Sequence, residues 1–153
     1  MTIGLPSEPL YLDDLAVGNE FISREHRLDV EQIIAFASEL DPQPFHVEPE
    51  RAQDTFFQGL VASGWHTMAI TMRLIVENVP FAQGIIGAGA EVSWPEPTRP
   101  GEVLHVRSKV QEIRPSRSKP HMAIVLLHAL TLNHDGNKRQ DFTAKLLAFR
   151  RGA

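Results

Sequence analysis

The chain has 153 residues, with 15 basic and 19 acidic side chains (formal net charge −4), 42% hydrophobic residues, 22% charged residues and no cysteine. This is the composition of an ordinary folded domain, and it argues against disorder and against a coiled coil. It also excludes disulfides, thiolate catalysis and cysteine-ligated zinc. A mildly acidic chain lacks the basic footprint of a nucleic-acid or anionic-membrane binder. The start, MTIGLPSEPLYLDDL, shows no basic segment followed by an apolar run, and no stretch nears the roughly 20 apolar residues of a membrane span. The expectation is one cytoplasmic domain over residues 1–153, without nucleic-acid or membrane partners.

In chain order, residues 1–19 are rich in Pro, Gly and Asp and read as an irregular arm, and the alternation of EFISREHRL predicts a strand over 20–28. Val30, Ile33, Ile34 and Ala37 then follow helical spacing, with Asp29 as N-cap and Gln32 placed for a capping box. Pro42 ends that helix near Leu40. Residues 41–48, DPQPFHVE, read as a stiff extended loop, and Pro49 opens a short helix, PERAQDTF. Gly59 marks a further break. Residues 64–78 are apolar on nearly every face and predict a buried helix capped by Ser63.

The remainder predicts strands near 85–94, 102–113, 121–133 and 138–150, the last two joined through Asp135-Gly136. Helices first and strands after predict an α+β fold in which a long antiparallel sheet wraps one central helix. The apolar run Met122–Leu127 suits a buried strand.

Two features bear on chemistry. Asp41 and His46 lie five residues apart on a proline-braced segment, and a carboxylate beside an imidazole is a common general acid–base pair. The plainer alternative is a helix end and a loop histidine. Ser63-Gly64 opens the buried helix, where unpaired amides and a partial positive charge suit a developing enolate oxygen. A glycine there lets a ligand approach the backbone, although Ser-Gly is also a common cap.

The run FASELDPQPFHVEPERAQDTFFQGLVASGWHTMAITMRL resembles the MaoC-like dehydratases and R-specific enoyl-CoA hydratases. The match rests on Asp41, Gln43, Pro44, His46, Glu48-Pro49, Ala52, Phe56 and Gly64, and continues through Trp94, Pro97 and Arg99-Pro100-Gly101. It covers the chain from about residue 12 onward. The chain departs from the family pattern at Leu40 (usually Gly), Gln43 (usually Asn) and Ser63 (usually His), and Trp65-His66 stand where many hydratases carry small or aliphatic residues.

The resemblance implies the hot-dog fold and reversible hydration of an enoyl thioester, an acyl-CoA of fatty acid metabolism, to a 3-hydroxyacyl thioester. It implies catalysis by Asp41, His46 and the Gly64 amide, with Gln43, Pro44, Phe45, Ser63, Trp65 and His66 around the substrate. No metal or redox cofactor is implied; coenzyme A enters as part of the substrate. A homodimer or higher homo-oligomer is implied as well. The alternatives are a hot-dog thioesterase and a non-catalytic acyl-binding subunit. Trp65 reads as core more readily than as pocket wall, and His66 as either a residue facing the thioester or a packed one. Together His46, Glu48 and His66 suggest a metal site only weakly. Arg114, Arg117 and Lys119 form a basic turn that either attracts coenzyme A phosphates or is simply solvated.

Overall fold

A computed structural model describes residues 8–152. Its strands are β1 (Glu20–Ile22), β2 (His26–Arg27), β3 (Gly87–Ser93), β4 (Val103–Pro115), β5 (Met122–Leu132) and β6 (Lys138–Phe149). Its helices are α1 (Val30–Leu40), α2 (Pro44–Val47), α3 (Pro49–Ala52) and α4 (Gly64–Asn78), preceded by a 3₁₀ turn at Leu12–Asp14. The sheet runs β1-β4-β5-β6-β3, with β2 also on β4, and its pairings are antiparallel.

Strands β5 and β6 alternate along their length, and β4 does so as far as Val110. On β5, Ala123, Val125, Leu127 and Ala129 are buried, and they share the core with Leu104, Val106 and Val110 of β4 and Ala144, Leu146 and Ala148 of β6. Ile70, Leu74 and Ile75 of α4 complete this core, so the sheet's inner face closes over the helix. Several of these inward positions are alanine, which leaves room for a helix against a curved sheet.

The expected elements are present, with local differences. The strand expected over 20–28 is broken at Ser23, a buried residue whose hydroxyl donates to Arg24 O and accepts from the Val106 amide. The arm is not irregular throughout, since Leu12 and Leu15 sit in the core; residues 1–7 lie outside the described part. Asp29 caps α1 by accepting from the Gln32 amide, but no reciprocal capping box forms. The Gln32 side chain instead donates to Arg27 O and bonds His26.

The segment expected to be extended over 41–48 contains the helical turn α2, because Pro44 occupies its first position with φ already set. The helix opened by Pro49 ends at Ala52, short of the expected length. Helix α4 starts at Gly64 under the Ser63 cap as expected, yet it is not buried all round: Trp65, Met72 and Val76 are exposed. Among the described residues no helix is long and apolar enough to cross a membrane.

A bulge in β6 matters for the site. Thr131 pairs with Gln140 and Leu132 with Lys138, so Arg139 is the extra residue. Bulges re-aim side chains, and here the Arg139 guanidinium pairs with Glu102 at 2.6 Å in a largely buried contact. Asn133 organises the adjoining turn, where Gly136 takes φ +81°. Its side-chain oxygen accepts from the Asp135 and Asn137 amides, while its amide donates to Glu102.

Candidate active site

The end of α1, the α2 turn and the start of α4 converge. Asp41 is the C-cap of α1, its amide donating to Ala37 O. Its carboxylate is held on both oxygens: Oδ1 accepts from Gln43 Nε2 at 2.6 Å and Oδ2 from Ser63 Oγ at 2.7 Å. Burial would raise the Asp41 pKa, but the Ser63 and Gln43 hydrogen bonds and the nearby His46 ring outweigh that and hold it below its ordinary value. The residue longer than the family's usual Asn thus reaches the carboxylate, and the serine in place of the usual histidine also clamps it.

His46 is buried in α2, with Nε2 3.3 Å from Asp41 Oδ2. Its Nδ1 lies 2.7 Å from Val61 O. A carbonyl oxygen only accepts, so Nδ1 carries a proton, and Nε2 is the nitrogen left to exchange one. That nitrogen therefore faces the carboxylate at a distance that suits a shared proton, and a water can reach both only from the side.

His46 also lines a cleft of about 470 Å³ with Gly64, Thr67, Phe57, Trp94 and Thr98. Gly64 is the first residue of α4, and among the described residues nothing accepts its amide hydrogen. What approaches the Gly64 backbone, however, is protein: a Cβ there would stand 2.7 Å from Trp94 Cε2, so the absent side chain makes space for the indole.

The other expected substrate-contacting residues are distributed unevenly. Ser63 is fully buried and Gln43 exposed, and both hold Asp41 without lining the cleft. Pro44 starts α2. Phe45 packs edge-on against His46 and Phe57. Trp65 is 61% exposed and so is not core; its ring meets Trp94 edge-on at 5.3 Å.

His66 is buried and stacks on Phe36, ring centroids 4.4 Å apart, with no hydrogen-bond partner for Nδ1. Burial, and then the neighbouring His26, lower its pKa from 6.5 to about 4. The unfolded chain therefore binds a proton between these values that the folded chain refuses. Stability contributed by neutral His66 is full above pH 6.5 and is lost as pH falls toward 4. Replacing His66 by Phe should remove an acid-side loss on the order of 2–3 kcal/mol, read as a flatter denaturant midpoint between pH 6.5 and 4 than in the parent.

Among the described residues no group of three or more His, Asp or Glu side chains gathers as metal ligands. The basic turn sits between β4 and β5, whereas the cleft lies near the Val103 end of β4. At about 3.3 Å per residue the strand separates them by roughly 40 Å, so within one chain the turn does not reach the cleft. Arg114 is in any case paired with Glu112 at 2.8 Å.

The chain reading missed Trp94, Thr67, Thr98 and Arg139 as cleft residues. Trp94, which carries part of the resemblance, was the available signal.

A long antiparallel sheet closed over one central helix, with the Asp–His pair at that helix's N-terminal end, is the hot-dog fold. The chain belongs to the MaoC-like dehydratase family: residues 15–130 match the family described as "MaoC like domain". The crystal structure of the MaoC-like dehydratase from Rhodospirillum rubrum is similar, with 56% identity and a TM-score of 0.92, covering 94% of this chain and 99% of that one. The Bacillus subtilis (strain 168) "Uncharacterized protein YdeM" is 33% identical over 119 residues, covering 76% of this chain and 84% of its own length. The 3-hydroxybutyryl-CoA dehydratase of Methylorubrum extorquens is 26% identical over 116 residues, covering 74% and 72%.

Proposed function

We propose that the protein is a hydratase that adds water reversibly across the double bond of an enoyl thioester, an acyl-CoA, giving the 3-hydroxyacyl thioester. The observation that carries this reading is the setting of His46: Nδ1 donates to Val61 O, Nε2 is left to face Asp41, and the ring lines the cleft that also holds the unpaired Gly64 amide. One water held beside Nε2 and the carboxylate gives up a proton to His46 as its oxygen bonds the β-carbon. The π electrons move toward the thioester oxygen, which accepts a hydrogen bond from Gly64. The proton returns to the α-carbon through the Asp41–His46 pair, so one water is consumed and the side chains end as they began. Asp41, held ionised by its depressed pKa, orients the water and the imidazole. The thioester itself acidifies the α-position, so the reading calls for no redox cofactor.

The family and the resemblance to a 3-hydroxybutyryl-CoA dehydratase support this assignment. Mass spectrometry of the products from a panel of enoyl and saturated acyl-CoA compounds tests it. The expected product is the enoyl-CoA plus one water with the thioester intact. Free thiol from saturated acyl-CoA would mark a thioesterase instead, and binding without turnover a non-catalytic subunit.

The same reading includes a homodimer or larger homo-oligomer. It is supported by β3, an edge strand of exposed small residues, beside a groove of about 400 Å³ formed with Met68, Met72 and Val76 of α4. An unpaired edge next to exposed apolar side chains is a surface that proteins ordinarily cover. Light scattering at micromolar concentration should give at least twice the chain mass; a monomer would contradict it.

A further inference from the structure

The outer face of the sheet is not composed like a wet one. An antiparallel sheet with its core on one side ordinarily turns polar residues to the other. On β5 the outward positions are Met122, Ile124, Leu126, His128, Leu130 and Leu132, and each is half-buried. The run Met122–Leu127 is apolar at every position, yet only Ala123, Val125 and Leu127 of it reach the core. The others point away from α4, along a stripe roughly 33 Å long at about 3.3 Å per residue. Leu147 and Phe149 of β6, paired with Ile124 and Met122, widen it.

Charge flanks this stripe in a definite order. Level with Leu130, β4 carries Arg107 and β6 carries Asp141. Level with Leu126, β4 carries Glu112 and β6 carries Lys145. At both levels the signs on the two sides of β5 are opposite. Arg107 and Lys145 are exposed and, among the described residues, form no ion pair. Asp141 gives Oδ1 to His128 Nε2 at 2.7 Å and keeps Oδ2 open.

A contact between two identical faces must be complementary to itself under a two-fold axis. An axis along β5 lays β4 of each copy over β6 of the other, with the apolar stripes in contact. Arg107 then meets Asp141 of the second copy, and Lys145 meets Glu112 of the second copy. Glu112 shares its carboxylate with Arg114 at 2.8 Å, so the Arg107–Asp141 contact is the stronger one. Sheets stacked face to face keep their strands within about 30° of each other, which preserves these levels. Glu20 of β1 and Glu91 of β3 would oppose like charges, but both lie two strands from the axis. There the curve of the sheet around α4 separates two convex faces.

We propose that the outer face of β4, β5 and β6 is an interface with a second copy of this chain, fixed by two reciprocal Arg107–Asp141 pairs. It lies on the opposite side of the sheet from the groove beside β3, so it is a further contact beyond the homo-oligomer reading above. Dimers joined at β3 and stacked through this face make an assembly of four chains. The test is the mass by light scattering of the parent, of Arg107→Glu, of Asp141→Arg, and of the two variants mixed in equal amounts. Circular dichroism establishes that each variant is folded.

The parent should show four chain masses. Each variant alone sets like charges against each other at both contacts and should show half the parent mass. In the mixture an Arg107→Glu chain meets an Asp141→Arg chain, both contacts again join opposite charges, and the mass should return to that of the parent. Folded variants that keep the parent mass overturn the proposal and leave the face to a partner other than this chain. Variants that dissociate but do not reassemble on mixing also overturn it, since Arg107 and Asp141 would then not face each other. A parent of two chain masses that the variants reduce to one, and the mixture restores, would overturn pairing at β3 and leave this interface standing.

Discussion

Asp41→Asn and His46→Ala should each lower the hydration rate by about 10²–10⁴-fold, the range expected when a positioned acid–base group is removed. Asparagine keeps the shape at 41 but loses the negative charge that faces His46 Nε2, and its NH₂ group takes the place of an oxygen that accepts from Gln43 Nε2 or Ser63 Oγ. His46→Ala removes the base and leaves Val61 O without its buried donor. His46→Gln separates chemistry from packing, since its side chain fills much of the same space without supplying a base. All three variants should show cooperative thermal unfolding. The two losses should not multiply in the double variant, because the residues act on one water as a unit. Steady-state hydration assays beside melting curves check each of these outcomes.

The largest stability effect should come from Glu102→Leu. Glu102 accepts from Arg139 at 2.6–3.2 Å, from Asn133 at 3.0 Å and from the Arg99 amide at 2.9 Å. Burial would raise its pKa, yet these donors, Arg139 foremost, hold it below the ordinary carboxylate value. Its contribution is therefore present above the usual carboxylate range and is lost as pH falls through its lowered value. Removing it leaves Arg139 charged and largely buried in the cleft wall with only the Glu96 and Asp135 carboxylates as remaining counter-charges, at a cost of about 3 kcal/mol. The double change with Arg139→Met should recover most of that loss, because it removes the stranded charge. Urea unfolding of the single and double variants gives the comparison; equal losses in the two would show that the pair matters through packing alone.

Much of this architecture was readable along the chain because its causes are local. Ser63 caps α4 where the cap residue stands in the sequence, and the long strands alternate because one face meets the helix. Asp41 and His46 are five residues apart, so any compact path between them brings their side chains near each other. The extended reading of 41–48 failed because two prolines suit either an extended chain or the first turn of a helix; the bonds from the His46 and Val47 amides to Gln43 O decide for the turn.

The decisive chemistry of the site was not readable, because it depends on pairings across long separations. The proton on His46 is placed by Val61, 15 residues away, and the indole of Trp94 by Gln140, 46 residues away. The inward turn of Arg139 follows from a one-residue bulge that no periodicity announces. Trp65 was expected in the core because α4 is apolar on most faces, but only one side of the helix is covered: His66 and Thr67 of the first turn are buried and Trp65 faces outward.

The central claim is that His46, oriented by Asp41, activates one water in the cleft that it lines with Gly64. Its most direct test is the loss of the conjugated thioester absorbance when a short enoyl-CoA is mixed with the parent protein and, separately, with the Asp41→Asn variant. The account expects rapid decay to the hydration equilibrium with the parent and a rate lowered about 10²-fold or more with the variant. Decay at the parent rate in folded Asp41→Asn would contradict it.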